Sequence, residues 1–223
     1  MKKLFVLLIA CMAFVTVQAQ DKALRGSGIL TERTISLNGF DQIDLQGVNG
    51  KLVVEIGKPF SVVVKADDNL DSLIRFEKLN ENRLRIALLI PRPYTWLMEN
   101  NITIHISMPE ISVLSNQSNA DVLVTGLMGR YLRINNQGNG DVRVRGTVMD
   151  ELDIVNNGNG DVVTDELPSK KVMLEKSGNG NVTICTNENF RVRMAGNGDV
   201  LNKGTGRAII ESQSGNGKVV YRP

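Results

Sequence analysis

Short runs in which every second residue is apolar begin near Phe40 and continue to the end of the chain. Val122-Leu123-Val124-Thr125, Leu132-Arg133-Ile134-Asn135, Val142-Arg143-Val144-Arg145, Leu152-Asp153-Ile154-Val155, Val172-Met173-Leu174-Glu175 and Phe190-Arg191-Val192-Arg193 are of this kind. Side chains of a strand alternate between its faces, so a period of two marks a strand with one buried face. No window here has the period of an amphipathic helix. Between the runs one five-residue phrase recurs: Ser118-Asn119-Ala120-Asp121-Val122, Gly138-Asn139-Gly140-Asp141-Val142, Gly158-Asn159-Gly160-Asp161-Val162, Gly178-Asn179-Gly180-Asn181-Val182, Gly196-Asn197-Gly198-Asp199-Val200 and Gly215-Asn216-Gly217-Lys218-Val219. The steps between them are 20, 20, 20, 18 and 19 residues. Such a period marks stacked units, each too small to bury its own apolar face.

The pattern predicts an all-β fold, a right-handed β-solenoid (β-helix-like) with coils of about 20 residues, preceded by less regular β units. The hand follows from the bias of parallel crossovers. Stacking at roughly 4.8 Å places equivalent residues in columns. One inward column is Val122, Val142, Val162, Val182, Val200 and Val219; another is Leu132, Leu152, Val172, Phe190 and Ile209. Glu211 is expected in an inward slot held elsewhere by Ile134, Ile154, Leu174 and Val192, which marks the last coil as a cap. Regular repeats span 111–223. Residues 36–110 carry longer units: strands around Gln42–Leu45, Lys51–Ile56, Phe60–Val64, Ile74–Leu79, Arg83–Leu89 and Asn101–Met108, a helical turn within Asp67–Ile74, and a hairpin turn at Asn80-Glu81-Asn82. Val48-Asn49-Gly50-Lys51-Leu52 reads as a degenerate first copy of the phrase.

Gly and Asn tolerate positive φ, which suits them to sharp corners. Asn119, Asn139, Asn159, Asn179, Asn197 and Asn216 fall in one column, a structural turn column whose amides bond along the stack. Asp121, Asp141, Asp161 and Asp199 form a second, interrupted by Asn181 and Lys218. Carboxylates one coil apart repel unless they are solvated, hydrogen-bonded to turn amides or bridged by cations. Capping of turn amides is the reading taken, because the Gly-Gly-x-Gly-x-Asp spacing of calcium-binding rolls is missing. These four are therefore only weak metal candidates, and no cofactor is expected.

Residues 1–19 read as a signal peptide: Lys2-Lys3, an apolar run from Leu4 to Val17, and Val17-Gln18-Ala19 before Gln20. Export to the periplasm, the outer-membrane surface or the medium follows. Leu8-Ile9-Ala10-Cys11 offers a competing lipid anchor at Cys11, but the apolar run continues past it. Residues 20–35 are polar and patternless, a flexible leader. Cleavage removes two lysines and no acid, so the net charge changes from +2 to 2 − 2 = 0. A neutral chain without a basic run is a poor nucleic-acid binder, and no other apolar stretch is long enough to span a membrane. Cys185, the remaining cysteine, leaves no intramolecular disulfide and no cysteine zinc site; it is expected to be buried and inert.

Chemistry is sparse. His105, the sole histidine, alternates outward from its strand, and no His-x-x-x-His, phosphate loop or Gly-x-Ser-x-Gly elbow occurs. No catalytic residue is assigned. Outward Arg133, Arg143, Arg145, Asp153, Arg191 and Arg193 offer the acid and base groups that polysaccharide lyases gather in a groove. The segment Ile90–Met98 breaks the pattern with two prolines and the only tryptophan. It reads as a lid over the end of the core, or as a contact loop built on Tyr94 and Trp96.

Phe40-Asp41-Gln42-Ile43, the Val48-Asn49-Gly50 turn, Phe60-Ser61-Val62-Val63-Val64 leading to Asn69-Leu70, Arg83-Leu84-Arg85-Ile86 and the repeated Gly-Asn-Gly-Asp-Val phrases together resemble the head GIN domain. That is a domain of unknown function, described as a "putative auto-transporter adhesin" and common in exported proteins of the Bacteroidetes. The resemblance covers about residues 36–223. It implies an all-β, solenoid-like fold and an adhesive role, with no catalytic residues to carry over. The expectation is an exported, non-enzymatic binding module of a bacterial cell envelope whose surface ligand is a glycan or a protein. A self-associating structural component, and so a homo-oligomer, is the alternative; a polysaccharide-active enzyme is the third reading.

Overall fold

The structure, a computed structural model, describes residues 22–80 and 82–222. The expected signal peptide, Cys11 and Glu81 of the hairpin turn lie outside the described residues. What is described is all-β apart from one four-residue helix. Upstream of the repeats come β1 (Lys22–Arg25), β2 (Leu30–Ile35), β3 (Gln42–Gln46), β4 (Lys51–Ile56), β5 (Ser61–Asp67), helix α1 (Asp68–Asp71), β6 (Ile74–Leu79), β7 (Arg83–Leu88), β8 (Tyr94–Met98), β9 (Thr103–Met108) and β10 (Val113–Gln117). The repeats supply the long β11 (Asp121–Asn136) and β12 (Val142–Asn156), then β13 (Val162–Glu166), β14 (Ser169–Lys176), β15 (Val182–Ile184), β16 (Phe190–Met194), β17 (Val200–Asn202), β18 (Ala208–Gln213) and β19 (Val219–Tyr221).

Two ladders hold the core between them. One runs β6-β7-β3-β10-β11-β12-β14-β16-β18. The other runs β2-β5-β9-β4-β11-β12-β13-β15-β17-β19. β11 and β12 serve both, because register shifts around Val124 and Leu127 carry each strand round a corner. Pairing is parallel except at β6–β7, β2–β5 and β5–β9, the upstream end.

Register places Val122 opposite Val142, Val142 opposite Val162, Val162 opposite Val182, Val182 opposite Val200 and Val200 opposite Val219. Leu52 lies opposite Val122 and Ile104 opposite Leu52, so the degenerate phrase at Val48–Leu52 joins the same column. All but Val219 are buried. Alternation puts one branched side chain per strand into this row, and burying each contributes about 1.5–3 kcal/mol.

Four expectations need correction. Ile209 does not continue the column that ends at Phe190; Ala208 does, and Ile209 sits opposite Arg191, 52% exposed. Glu211 does not take the slot of Val192, which pairs with Ile210. A register shift after Val192 carries Glu211 outward, where its carboxylate accepts from Arg193 at 2.7 Å and meets Arg191 at 3.8 Å. A carboxylate gains those partners only outside the apolar interior. The leader expected over residues 20–35 includes two strands, β1 pairing with β8 and β2 covering the edge of β5, which satisfies backbone groups that an unpaired edge leaves open.

The fourth concerns the corner glycines. Among those of the repeated phrase only Gly196 and Gly215 have positive φ, and no asparagine of the turn column does. The others are required by proximity. A Cβ on Gly138, Gly140, Gly158, Gly160, Gly178 or Gly180 would stand 1.9–2.1 Å from a carbonyl oxygen of the coil beneath.

A second row of amides runs inside. Asn116, Asn136 and Asn156 are fully buried and lie in register with Leu45 below and Lys176 above. Asn116 Nδ2 donates to Asn136 Oδ1 and Asn136 Nδ2 to Asn156 Oδ1, both at 3.2 Å. They also donate to the carbonyls of Ala120 and Gly160, which satisfies the corner backbone from within. Lys176 replaces the next amide and donates to Gly178 O at 2.8 Å.

Candidate functional site

The corner that carries the repeated phrase forms an exposed ridge. Asn139 Nδ2 donates to Asn119 Oδ1, Asn159 to Asn139, Asn179 to Asn159, Asn197 to Asn179 and Asn216 to Asn197, all at 2.8–2.9 Å. Beside it, each carboxylate or amide accepts the backbone N–H of its successor: Asp121 from Asp141 (3.1 Å), Asp141 from Asp161 (2.8 Å), Asp161 from Asn181 (2.7 Å), Asn181 from Asp199 (2.9 Å) and Asp199 from Lys218 (2.9 Å). Donated amides offset the repulsion between stacked carboxylates. One oxygen of each aspartate is thereby committed to the backbone. Among the described residues no group of three or more His, Cys, Asp or Glu gathers as metal ligands.

At its upstream end the ridge meets a cleft of about 470 Å³. Register sets Lys65, Thr103, Lys51 and Asp121 side by side on neighbouring strands β5, β9, β4 and β11. Neither lysine forms an ion pair among the described residues. Asn119 lines the cleft as the first amide of the ridge, and Asn100 lines it too, with its Oδ1 shut off from water and without a donor among the described residues. Asp67 holds that wall in place: it accepts Asn101 N–H at 2.7 Å, Gly28 N–H at 2.9 Å and Asn101 Nδ2 at 3.3 Å. Burial opposes its charge, but these donors outweigh it and keep its carboxyl below the usual carboxylate range.

Tyr94 and Trp96 lie in β8, whose parallel pairing sets Trp96 opposite Ala23. Leu97 is buried against the core while Tyr94 is 36% and Trp96 48% exposed. The segment thus covers core with one residue and offers two aromatic rings to solvent.

The basic residues do not form one set. Arg133, Asp153, Arg191 and Arg193 share a shallow groove with Glu211, whereas Arg143 and Arg145 belong to the other ladder. Tyr131 donates to Asp153 at 3.1 Å beside that groove, and burial together with the Asp153 charge pushes the phenol up. A phenol so held stays protonated and makes a poor base. His105 is exposed on β9 between Val53 and Val63. Cys185 is partly exposed rather than buried; it follows Ile184, which pairs with Thr164 and Asn202, and the Lys203 ammonium meets Asp165 at 2.6 Å.

Sequence reasoning missed the inner amides and the cleft. For the first a signal existed: Leu132, Ile134 and Asn136, like Leu152, Ile154 and Asn156, keep the inward phase of one alternation. The two lysines stand 65 − 51 = 14 residues apart on successive strands β4 and β5, but they flank one site only because β9 pairs between those strands.

Solved structures of similar fold include a protein described as a "putative adhesin" from Bacteroides fragilis NCTC 9343, with 21% identity over 89% of this chain and 100% of that one and a TM-score of 0.72. A "putative lipid binding protein" from Parabacteroides distasonis ATCC 8503 shares 16% identity over 90% of this chain and 99% of that one, TM-score 0.59. A "putative adhesin" from Parabacteroides merdae ATCC 43184 shares 17% identity over 89% and 98%, TM-score 0.55. At such identities the likeness is one of fold. Comparison with curated proteins gives no match. The family description "Putative auto-transporter adhesin, head GIN domain" matches residues 39–206 of 223; with its parallel ladders and repeated corners, the chain belongs to the head GIN domain family.

Proposed function

We propose that the chain is an exported, non-enzymatic binding module of a bacterial envelope, adhesin-like, whose body is a right-handed β-solenoid of about 20-residue coils. The name "putative adhesin" carried by two structural neighbours supports the class of role. The observation that carries the reading is the exposure of Tyr94 and Trp96 on β8, which pairs with β1 in a two-stranded sheet and packs Leu97 into the core. Rigid aromatic rings give up little entropy on binding and bury much area, which is why they dominate hot spots. Leu97, buried between them and the core, ties the segment to the repeats, which offer an extended support. The ligand is a surface glycan or protein. On an array of both, the chain is expected to bind a discrete subset, and Trp96→Ala to abolish that binding while shifting the melting temperature by no more than about 2 °C, since its ring is half in water. A large loss of stability in Trp96→Ala would make the segment a lid instead.

A second reading, self-association, is favoured by one observation: Ile209 and Ile210 are about half exposed on β18, the last strand of its ladder among the described residues. Free strand edges with apolar residues recruit further strands. Light scattering across a hundred-fold concentration range distinguishes the two. A stable oligomer lost on Ile210→Lys favours self-association; a monomer throughout favours the binding module.

A further inference from the structure

The cleft at the upstream end of the ridge is lined by groups that folding leaves unused. In the ridge, each later asparagine donates to the amide of the coil before it, whereas Asn119 only accepts, from Asn139, and its Nδ2 has no partner among the described residues. Lys65 and Lys51 flank Thr103 on adjacent strands, which at the usual strand spacing puts their Cα atoms roughly 10 Å apart. Neither ammonium forms an ion pair among the described residues, although register sets Asp121 opposite Lys51 and Glu32 opposite Lys65. With Asp121 also in the lining, these charges sum to 2 − 1 = +1. The exposed Asp121 carboxylate gives one oxygen to Asp141 N–H and keeps the other open to a donor among the described residues. The space, about 470 Å³, falls in the range of small-ligand sites.

We propose that this cleft binds an acidic sugar, a polyhydroxylated anion. The anionic group bridges Lys51 and Lys65 across Thr103. Hydroxyl groups donate to the free oxygen of the Asp121 carboxylate, and one accepts from Asn119 Nδ2. A neutral sugar leaves both ammoniums unpaired, and a simple anion leaves the free Asp121 oxygen and Asn119 Nδ2 without partners. Only a ligand with both features answers the whole lining. The assignment rests on the binding-module reading and names a ligand class for it, at a place separate from the exposed rings of Tyr94 and Trp96. The anion has two chemical sources, the carboxylate of a uronate residue or the phosphate of a phosphorylated sugar.

Calorimetric titration of the full chain with galacturonate, glucose 6-phosphate, galactose and acetate tests it. One of the two acidic sugars is expected to bind at least about ten-fold more tightly than galactose and acetate, and whichever does so assigns the source. Lys51→Gln and Lys65→Gln are each expected to weaken that binding about ten-fold without moving the melting temperature, since both side chains are exposed. In the unaltered chain the Thr103 amide resonance is expected to shift on titration, a readout that needs no variant. Equal affinity for galactose, affinity unchanged in both lysine variants, or no binding of either acidic sugar overturns the proposal. If the sugars are silent while Trp96-dependent array binding persists, the cleft assignment falls and the binding module stands.

Discussion

Gly158→Ala is expected to destabilise the chain by about 3 kcal/mol or more, lowering the melting temperature by roughly 6–12 °C for a protein of this size. The new Cβ would stand 2.0 Å from Gly138 O, and 3.0 Å from Gln137 C and Gly138 N. All three are backbone atoms of the coil beneath, so no side chain can swing away. Relief requires the coils to part, and parting them stretches the backbone bond from Asn159 N–H to Gly138 O (3.1 Å) and the amide pair Asn159–Asn139 (2.8 Å). The matched control is Gly129→Ala, where the nearest atom is the flexible Met149 Cε at 3.9 Å and φ is not positive. It is expected to change stability by less than about 0.5 kcal/mol. Equal effects at the two sites would show that the coils are not packed backbone against backbone at the Gly-Asn-Gly corner.

The second large effect lies in the inner amide row. Asn136→Leu is expected to cost about 2–3 kcal/mol, because Asn156 Oδ1 loses its donor in a place that water does not reach. Lys176→Asn is expected to act in the opposite direction, by about 1 kcal/mol, extending the row with an amide in place of a buried ammonium. Burial pulls the Lys176 pKa below its ordinary 10.5, with Asp199 and Asp161 opposing. Between that lowered value and 10.5 the unfolded chain binds more protons than the folded one, so stability rises with pH through this window. Denaturant midpoints measured across alkaline pH should show that rise in the native chain and a shallower one in Lys176→Asn. A midpoint that falls when Lys176 becomes asparagine would mean that the ammonium's bond to Gly178 O outweighs the cost of burying it.

Much of the architecture was legible because two periods coincide in one chain. Alternation names the inward residues of each strand, and the repeat names the residue of the next coil that must lie above. Val122, Val142 and Val162 could therefore be lined up from the sequence, as could the exposed asparagines. The upstream part was harder, since β2, β5, β6 and β9 include antiparallel pairs whose register no repeat announces. The last coil misled for a related reason. The extra residue of the last step is Glu211, between Ile210 and Ser212, so the positions of β18 before it lie 18 and not 19 residues beyond their partners in β16, which nothing in the sequence announces.

The candidate cleft shows the same divide. Asn119 was marked by its place in the repeat and Lys51 by the degenerate phrase at Val48–Leu52, but Lys65 and Asn100 carry no local signal. Their meeting depends on which strand separates β4 from β5, and that strand, β9, begins at Thr103.

What the residues determine alone is periodic: which faces are apolar, where the chain turns and how long each unit is, because strand alternation and repeat length are properties of the backbone that every copy shares. What only the tertiary structure decides is distance between coils. It makes glycine obligatory at Gly158 by a carbonyl 2.0 Å from its missing Cβ rather than by its own torsion, and it turns scattered lysines and asparagines into neighbours. The reason is physical: local preference sets the shape of one turn of chain, while close packing against the next turn sets which side chains that shape can carry.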